Sequence, residues 1–265
     1  MYPSDLASRI NEWIRERVNE AGAQGVVLGM SGGLDSSVAA VLCKKAFPDT
    51  TLGLIMPCGS RKEDVAHARI VAKKFGIETK EIDLYYIFTV LLDVLFRASN
   101  TESLKLLEIE ECENDGDAKG DIAVANLKPR LRMICLYYFA NKRNYLVVGT
   151  GNKNELSIGY FTKYGDGAAD ILPLGDVLKT EERKLAERLG IPREIIERVP
   201  SAGLWDGQTD EAEIGMGYEV LDKIIVAMER RDFSGCDPEL VDRVKRMMDA
   251  SQHKRDAIPM FKQSQ

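Results

Sequence analysis

Between Gly29 and Ser37 the chain reads GMSGGLDSS, with three glycines, three serines and a single acid in nine residues. An apolar run, GVVL, precedes it, and an apolar segment with helical spacing follows from about residue 35 to residue 46. Glycines at 29, 32 and 33 let a backbone turn sharply and approach a ligand closely. A helix starting near Asp35 presents unpaired N–H groups and the positive end of its dipole, and Ser31, Ser36 and Ser37 add hydroxyls. This is the chemistry of a polyphosphate cradle. No Gly-Lys-Ser/Thr closes the loop and no Gly-x-Gly-x-x-Gly opens it, so neither the Walker lysine nor the dinucleotide fingerprint is present. Asp35 repels a phosphate unless a cation lies between them. Two readings of it stand level: a Mg²⁺ ligand or a helix N-cap.

Other residues could serve such a site, and each has an ordinary reading beside the functional one. Glu155 stands five residues beyond Thr150, just after the β-branched stretch YLVVGTG. That places it at the carboxyl end of a predicted strand, where parallel sheets bind ligands; alone, it reads as a solvated helix acid. Lys163 and Lys179 read as surface lysines. Arg130 follows Pro129 in a first helical turn, where a cation opposes the dipole, which favours a ligand role. Asp166 and Asp170 lie in YGDGAAD, ordinarily a turn, and His253 with Lys254 in a basic tail. His67 and His253 are the only histidines, which disfavours a Ser-His-Asp hydrolase. Five cysteines at wide spacing, with no Cys-x-x-Cys, argue against a disulfide frame or zinc site and for a reducing cytoplasm. Cys43 and Cys135 read as core residues, and Cys58 as a small packing residue near the nucleotide loop.

Positioning these groups requires a scaffold, and the pattern supplies one. Helices are predicted over 5–20, 35–46, 62–75, 84–96 and 125–141, with strands at GVVLGM, TLGLIMP, ETKEIDL and YLVVGTG, the third nearer an edge. Alternating strands and helices predict an α/β fold, a mainly parallel sheet with helices on both faces, organised as one domain over residues 1–265. The acidic stretch Glu108–Asp121 reads as a solvated loop, and Pro200–Gly215, which contains Trp205, as a binding loop or lid. The net charge of −6 gives no basic field for nucleic acid. No apolar run reaches membrane-spanning length, and the N-terminus lacks a signal-peptide pattern.

SGGLDSS after a strand resembles the pyrophosphate loop of the ATP pyrophosphatase enzymes, whose shared architecture is adenine-nucleotide α-hydrolase-like and Rossmann-like. GTGNKNELSIGYFTKYGDGAADILPLGDVLKT, from Gly149 to Thr180, resembles the signature of one member, the ammonia-dependent NAD synthetases. NLKPRLRM, PSAGLWDGQTDEAEIGMGYEVLD and SQHKR resemble further motifs of that family, in the family's order. The resemblance implies a cytoplasmic ligase that uses ATP and Mg²⁺ to adenylate the carboxylate of deamido-NAD, after which ammonia displaces AMP. It implies that Gly29, Met30, Ser31, Gly32, Gly33, Leu34, Asp35 and Ser36, with Thr150, Lys179 and Ser201, contact ATP. Ser201 stands where relatives often have threonine. Asp35 and Glu155 are implied as Mg²⁺ ligands and, with Lys179, as the catalytic group. Arg130, Lys163, Asp166, Asp170, His253 and Lys254 are implied in the deamido-NAD site, and a homodimer is implied to complete it. TGNKNE lacks the histidine found in one branch, and residues 97–124 match no motif.

Free ammonia is the expected donor, because the segment before Gly29 is too short for an amidase domain. Asp35→Asn is expected to abolish turnover and leave the fold stable. A different adenylating enzyme and a nucleotide-sensing binding protein are the competing readings; pyrophosphate release that needs deamido-NAD, ATP and Mg²⁺ together separates them.

Overall fold

The computed structural model describes residues 3–99, 121–201, 203 and 207–263, with side chains described from residue 6 onward. Four parallel strands form one sheet: β1 (Gly25–Gly29), β2 (Thr51–Ile55), β3 (Glu78–Glu81) and β4 (Tyr145–Val148), in the order β3-β2-β1-β4. Val26 pairs with Thr51 on one side and Leu146 on the other. The β1 side chains alternate between two cores, Val26 and Leu28 facing one and Val27 the other. Burial on both faces explains why the central strand is a continuous apolar run. β3 is the exposed edge, and its Glu78 and Glu81 pair with Arg143 and Arg69. Charged side chains of this kind discourage edge-to-edge pairing.

On one face pack α1 (Pro3–Glu20), α2 (Leu34–Ala46), α3 (Lys62–Phe75) and α8 (Lys179–Leu189). Buried on nearly every side, α2 is built from small residues (Ser36, Ser37, Ala39, Ala40, Cys43) that let its neighbours approach. The Cys43 thiol is pushed up to about 12 by burial, in keeping with a packing role. The opposite face carries α4 (Tyr85–Ala98) and α6 (Leu127–Arg143), preceded by the single turn α5 (Ile122–Ala125). Cys58 is buried there and Cys135 packs at its border. A third core joins α7 (Lys153–Ile158), α10 (Asp210–Ile214), α11 (Tyr218–Arg230) and α12 (Pro238–Arg255), while the short α9 (Arg193–Ile196) adds Ile195 to the first core.

The predicted helix over 62–75 is found with those bounds and ends in left-handed Gly76, φ 64°. α4 and α6 start one or two residues later than predicted and end two later. His253 and Lys254, read as a tail, belong to the last turn of α12. Of the acidic stretch only Asp121 is described, where it caps α5; the rest of it and Trp205 lie outside the described residues. No helix among the described residues is long and apolar enough to cross a membrane.

Candidate active site

Strand order reverses between β1 and β4, since β1 leads on to β2 and β3 on one side while β4 lies on the other. A crevice opens at the carboxyl ends of strands at such a switch point. Here it is a cleft of about 590 Å³, lined by the 29–36 loop except Gly32, and by Thr150, Glu155, Lys179 and Ser201.

The loop is preset by its own side chains. Gly32 sits at φ 83°, and a Cβ there would come 2.1 Å from the Asp64 main-chain oxygen. Only glycine fits a left-handed residue pressed that closely against α3. Ser31 Oγ accepts from the Gly33 N–H and lies 2.9 Å from Ser36 Oγ. Ser36 and Ser37 both donate to the Gly33 carbonyl, at 3.2 and 2.7 Å, but Ser36 lines the cleft whereas Ser37 does not and supports the helix.

Asp35 is not the N-cap of α2, which is Gly33. Its carboxylate receives the Lys179 ammonium on both oxygens, at 2.6 and 2.5 Å, and the Asn152 amide at 2.7 Å. Lys179 is no surface lysine, being 1% exposed. Its backbone N–H donates to Asn154 Oδ1 at 3.0 Å, and the Asn154 amide donates to Asp222 at 2.6 Å. Asp222 also takes the N–H and hydroxyl of Thr180. These buried bonds fix the start of α8 and aim its first side chain at Asp35. Glu155 is the N3 residue of a capping box with Asn152, a pairing legible in the sequence as Asn-x-x-Glu.

Four acids crowd this one lysine. Glu182, fully buried, places Oε2 3.6 Å from the ammonium, and neither of its oxygens has a hydrogen-bond partner among the described residues. Asp210, buried on α10, accepts from Tyr160 and Tyr218. Burial, the largest influence, pushes the Asp35 carboxyl up, but the Lys179 charge and the hydrogen bonds the carboxylate accepts together outweigh it and hold the group below its ordinary value. Glu155 lies well above the carboxylate range, first from burial and then from the Asp35 charge. Burial, followed by Asp35, does the same to Glu182. Lys179 is raised: its burial opposes the charge, while Asp35, Glu182 and Glu155 together prevail.

The residues expected around deamido-NAD divide into two groups. Asp166 and Lys254 line the cleft. Asp166 accepts from the Thr162 N–H at 2.9 Å, and Lys254 donates to the Gly159 and Phe161 carbonyls at 2.7 and 2.8 Å. Arg130, Lys163, Asp170 and His253 are not part of its lining. Arg130 reaches the Lys163 carbonyl at 3.4 Å, and the Lys163 ammonium bonds the His253 carbonyl. Asp170 takes the Val147 N–H at 2.7 Å and the Tyr137 hydroxyl, so within one chain it braces β4. Sequence reasoning did not single out Asn152, Glu182, Asp210, Arg132 or Arg198. Only Asn152 carried a local signal; the others gain meaning from neighbours distant in sequence.

A family model for NAD synthase matches residues 6–258. The NH(3)-dependent NAD(+) synthetase of Carboxydothermus hydrogenoformans is 46% identical over 97% of this chain and 98% of its own. Among solved structures, an NMN synthetase from Francisella tularensis superposes with a TM-score of 0.82 at 32% identity, covering 98% of each chain. The NH3-dependent NAD synthetase from Campylobacter jejuni superposes with 0.78 at 28% identity, covering 99% of this chain and all of its own. Phosphate loop, switch-point cleft and matched sequence agree, and the chain belongs to the NAD synthase family.

Proposed function

We propose that the chain makes NAD from deamido-NAD, ATP and ammonia, releasing AMP and pyrophosphate. The observation that carries this reading is the convergence of Asp35, Glu155 and Lys179 beneath a lysine-free phosphate loop, in a chain of this family. A carboxylate is a poor acyl donor because oxide is a poor leaving group. Attack of a nicotinate carboxylate oxygen on the ATP α-phosphorus forms the acyl–phosphate bond and breaks the bond to the β-phosphate, whose oxygen leaves with the electron pair. Ammonia then adds at the acyl carbon, AMP leaves with the bonding electrons, and the nitrogen gives up a proton.

The residues do this by holding charge and geometry. Backbone amides of the 29–36 loop and the start of α2 receive the phosphates. Lys179, its backbone fixed by Asn154 and Asp222, supplies a cation that reaches the phosphates by turning from Asp35. Asp35 and Glu155 would hold Mg²⁺, and the donor set fits. Both are carboxylates, the ligands hard cations take, and burial beside Asp35 leaves Glu155 short of positive charge. No group of three or more His, Cys, Asp or Glu among the described residues is arranged to hold a metal, so the two carboxylates would hold it together with its ligand. Bound there, Mg²⁺ neutralises phosphate charge.

Residues 1–265 act as one unit and pair with a second copy. Supporting this, α4 and α6 turn Tyr86, Ile87, Val94, Ile134 and Tyr138 to solvent, an apolar face larger than one buried stripe requires. Arg130, Lys163, Asp170 and His253 then meet deamido-NAD across that contact. The free thiols of Cys43, Cys135 and Cys236 suit the reducing cytoplasm, where ATP is also supplied.

The likeness to an NMN synthetase favours one competing substrate, nicotinate mononucleotide. The test measures pyrophosphate release with each substrate omitted in turn. Release that requires deamido-NAD, ATP and Mg²⁺ together, with NAD formed from ammonium and almost none from glutamine, is the expected result. A higher kcat/KM for the mononucleotide transfers the assignment to it, and pyrophosphate release without either acid refutes both.

A further inference from the structure

A pyrophosphate loop without a lysine must borrow its positive charge, and Lys179 is engaged with Asp35. Four other cations line the cleft among the described residues: Arg61, Arg132, Arg198 and Lys254. Lys254 holds two main-chain carbonyls, and Arg132 holds the Met56 carbonyl and the Ser60 hydroxyl. Arg198 is placed differently. It stands between α9 and Ser201, and its guanidinium pairs with Asp64 through Nη2 while Nη1 lies 3.5 Å from His67 Nδ1. Its side chain is 20% exposed and that of Asp64 15%. Asp64 lies in the first turn of α3, and its main-chain oxygen is the atom pressed against Gly32. The carboxylate that orients Arg198 therefore belongs to the residue touching the phosphate loop. Arg61, just before α3, approaches the same carboxylate at 3.8 Å.

We propose that Arg198, oriented by Asp64, contacts the β- and γ-phosphates of ATP, the part that leaves as pyrophosphate; this rests on the reading under Proposed function. A guanidinium presents five donors in a rigid fork, so it can give one edge to a carboxylate and another to phosphate oxygens. Pairing with Asp64 immobilises a long side chain before the ligand arrives and lowers the entropy lost on binding. The competing role for Arg198 is a strut that ties the segment before Ser201 to α3.

Calorimetric titration separates the two, using the full chain with Mg²⁺ and either inorganic pyrophosphate or AMP. Arg198→Met should weaken pyrophosphate at least tenfold and change AMP less than twofold, with Arg198→Lys between Met and wild type. Unchanged pyrophosphate affinity overturns the proposal, as does equal weakening of pyrophosphate and AMP, the mark of a strut. Arg198→Gln keeps a hydrogen bond to Asp64 without the charge and decides the matter by the same criteria should Arg198→Met fail to fold. Wild-type chain that releases no pyrophosphate from ATP and deamido-NAD defeats the functional reading; wild-type release with unimpaired variants defeats only this one.

Discussion

Replacing Lys179 by methionine removes the one cation buried among Asp35, Glu155 and Glu182 while nearly conserving volume. Its ammonium is 1% exposed and contacts Asp35 at 2.5 and 2.6 Å and Glu182 at 3.6 Å. At an effective dielectric constant of 20, one unit pair at such a distance attracts by about 6 kcal/mol. The burial of both charges offsets most of that, so the intact pair adds little net stability. Loss of one partner is a different matter, because the acids remain buried without their counter-charge, at a cost of about 3–5 kcal/mol. With a urea slope near 3 kcal/mol/M, the unfolding midpoint should fall by about 1–1.7 M. The cost should depend on pH. The folded pKa of Lys179 is raised, so its contribution is complete below the unfolded value of about 10.4 and constant across pH 5–8. In the variant Glu155 and Glu182, already raised, lose the charge that restrains them. Acids whose folded pKa lies above the unfolded value cost nothing at low pH and progressively more as pH rises. Urea midpoints followed by circular dichroism should therefore diverge from wild type more at pH 8 than at pH 5. A variant as stable as wild type at pH 8 would refute the argument that Lys179 balances this cluster.

Three further substitutions test other parts of the site. Asp35→Asn should abolish turnover, but its stability should also fall by about 1–3 kcal/mol, less than for Lys179→Met because Glu182 still faces the ammonium; this reverses the expectation from sequence, and an unchanged urea midpoint would restore it. Gly32→Ala meets both a positive φ and the Asp64 carbonyl, so it should cost at least about 2 kcal/mol and raise the KM for ATP; near-native values for both would show that the loop yields freely. Lys163→Ala should raise the KM for deamido-NAD more than that for ATP, and the reverse order would move Lys163 to the nucleotide side.

The scaffold was legible wherever the local pattern and the fold agree. β1 and β2 are buried on both faces, so their apolar runs mark strands without ambiguity, and Gly76 ends α3 where the helical period stops. Glu78–Glu81 reads as an edge because it is charged instead of apolar, and its four residues are exposed. The site was legible less evenly. Asp35 sits in the first turn of a helix, where capping is the commonest use of an aspartate. The helix begins one residue earlier, with Gly33 as its cap, and the partner of the Asp35 carboxylate is a lysine 144 positions away, which no window of sequence contains. Lys179 itself opens a charged helix, and its burial follows from the packing of α8 on α2 and from the Asn154–Asp222 pair. Motif spacing located both residues through resemblance, whereas Glu182 and Arg198 had neither motif nor periodicity to mark them.

The charge balance also bears on how the site accepts its ligands. Asp35 gives both oxygens to Lys179 and one of them also to Asn152. A carboxylate so engaged can take a metal ion only by releasing part of the lysine. The lysine is then free to turn toward a phosphate, and Glu182 behind it keeps the ammonium from being stranded. If Asp35 is to hold a metal, a magnesium–phosphate pair would exchange one compensated arrangement for another: Asp35 would face the metal, and the Lys179 ammonium would face the phosphate. Either ligand alone leaves one exchange incomplete, with a buried charge short of its partner. On this account ATP and Mg²⁺ should bind with strong mutual dependence, and the excess of acids around a single lysine is the feature that makes them do so.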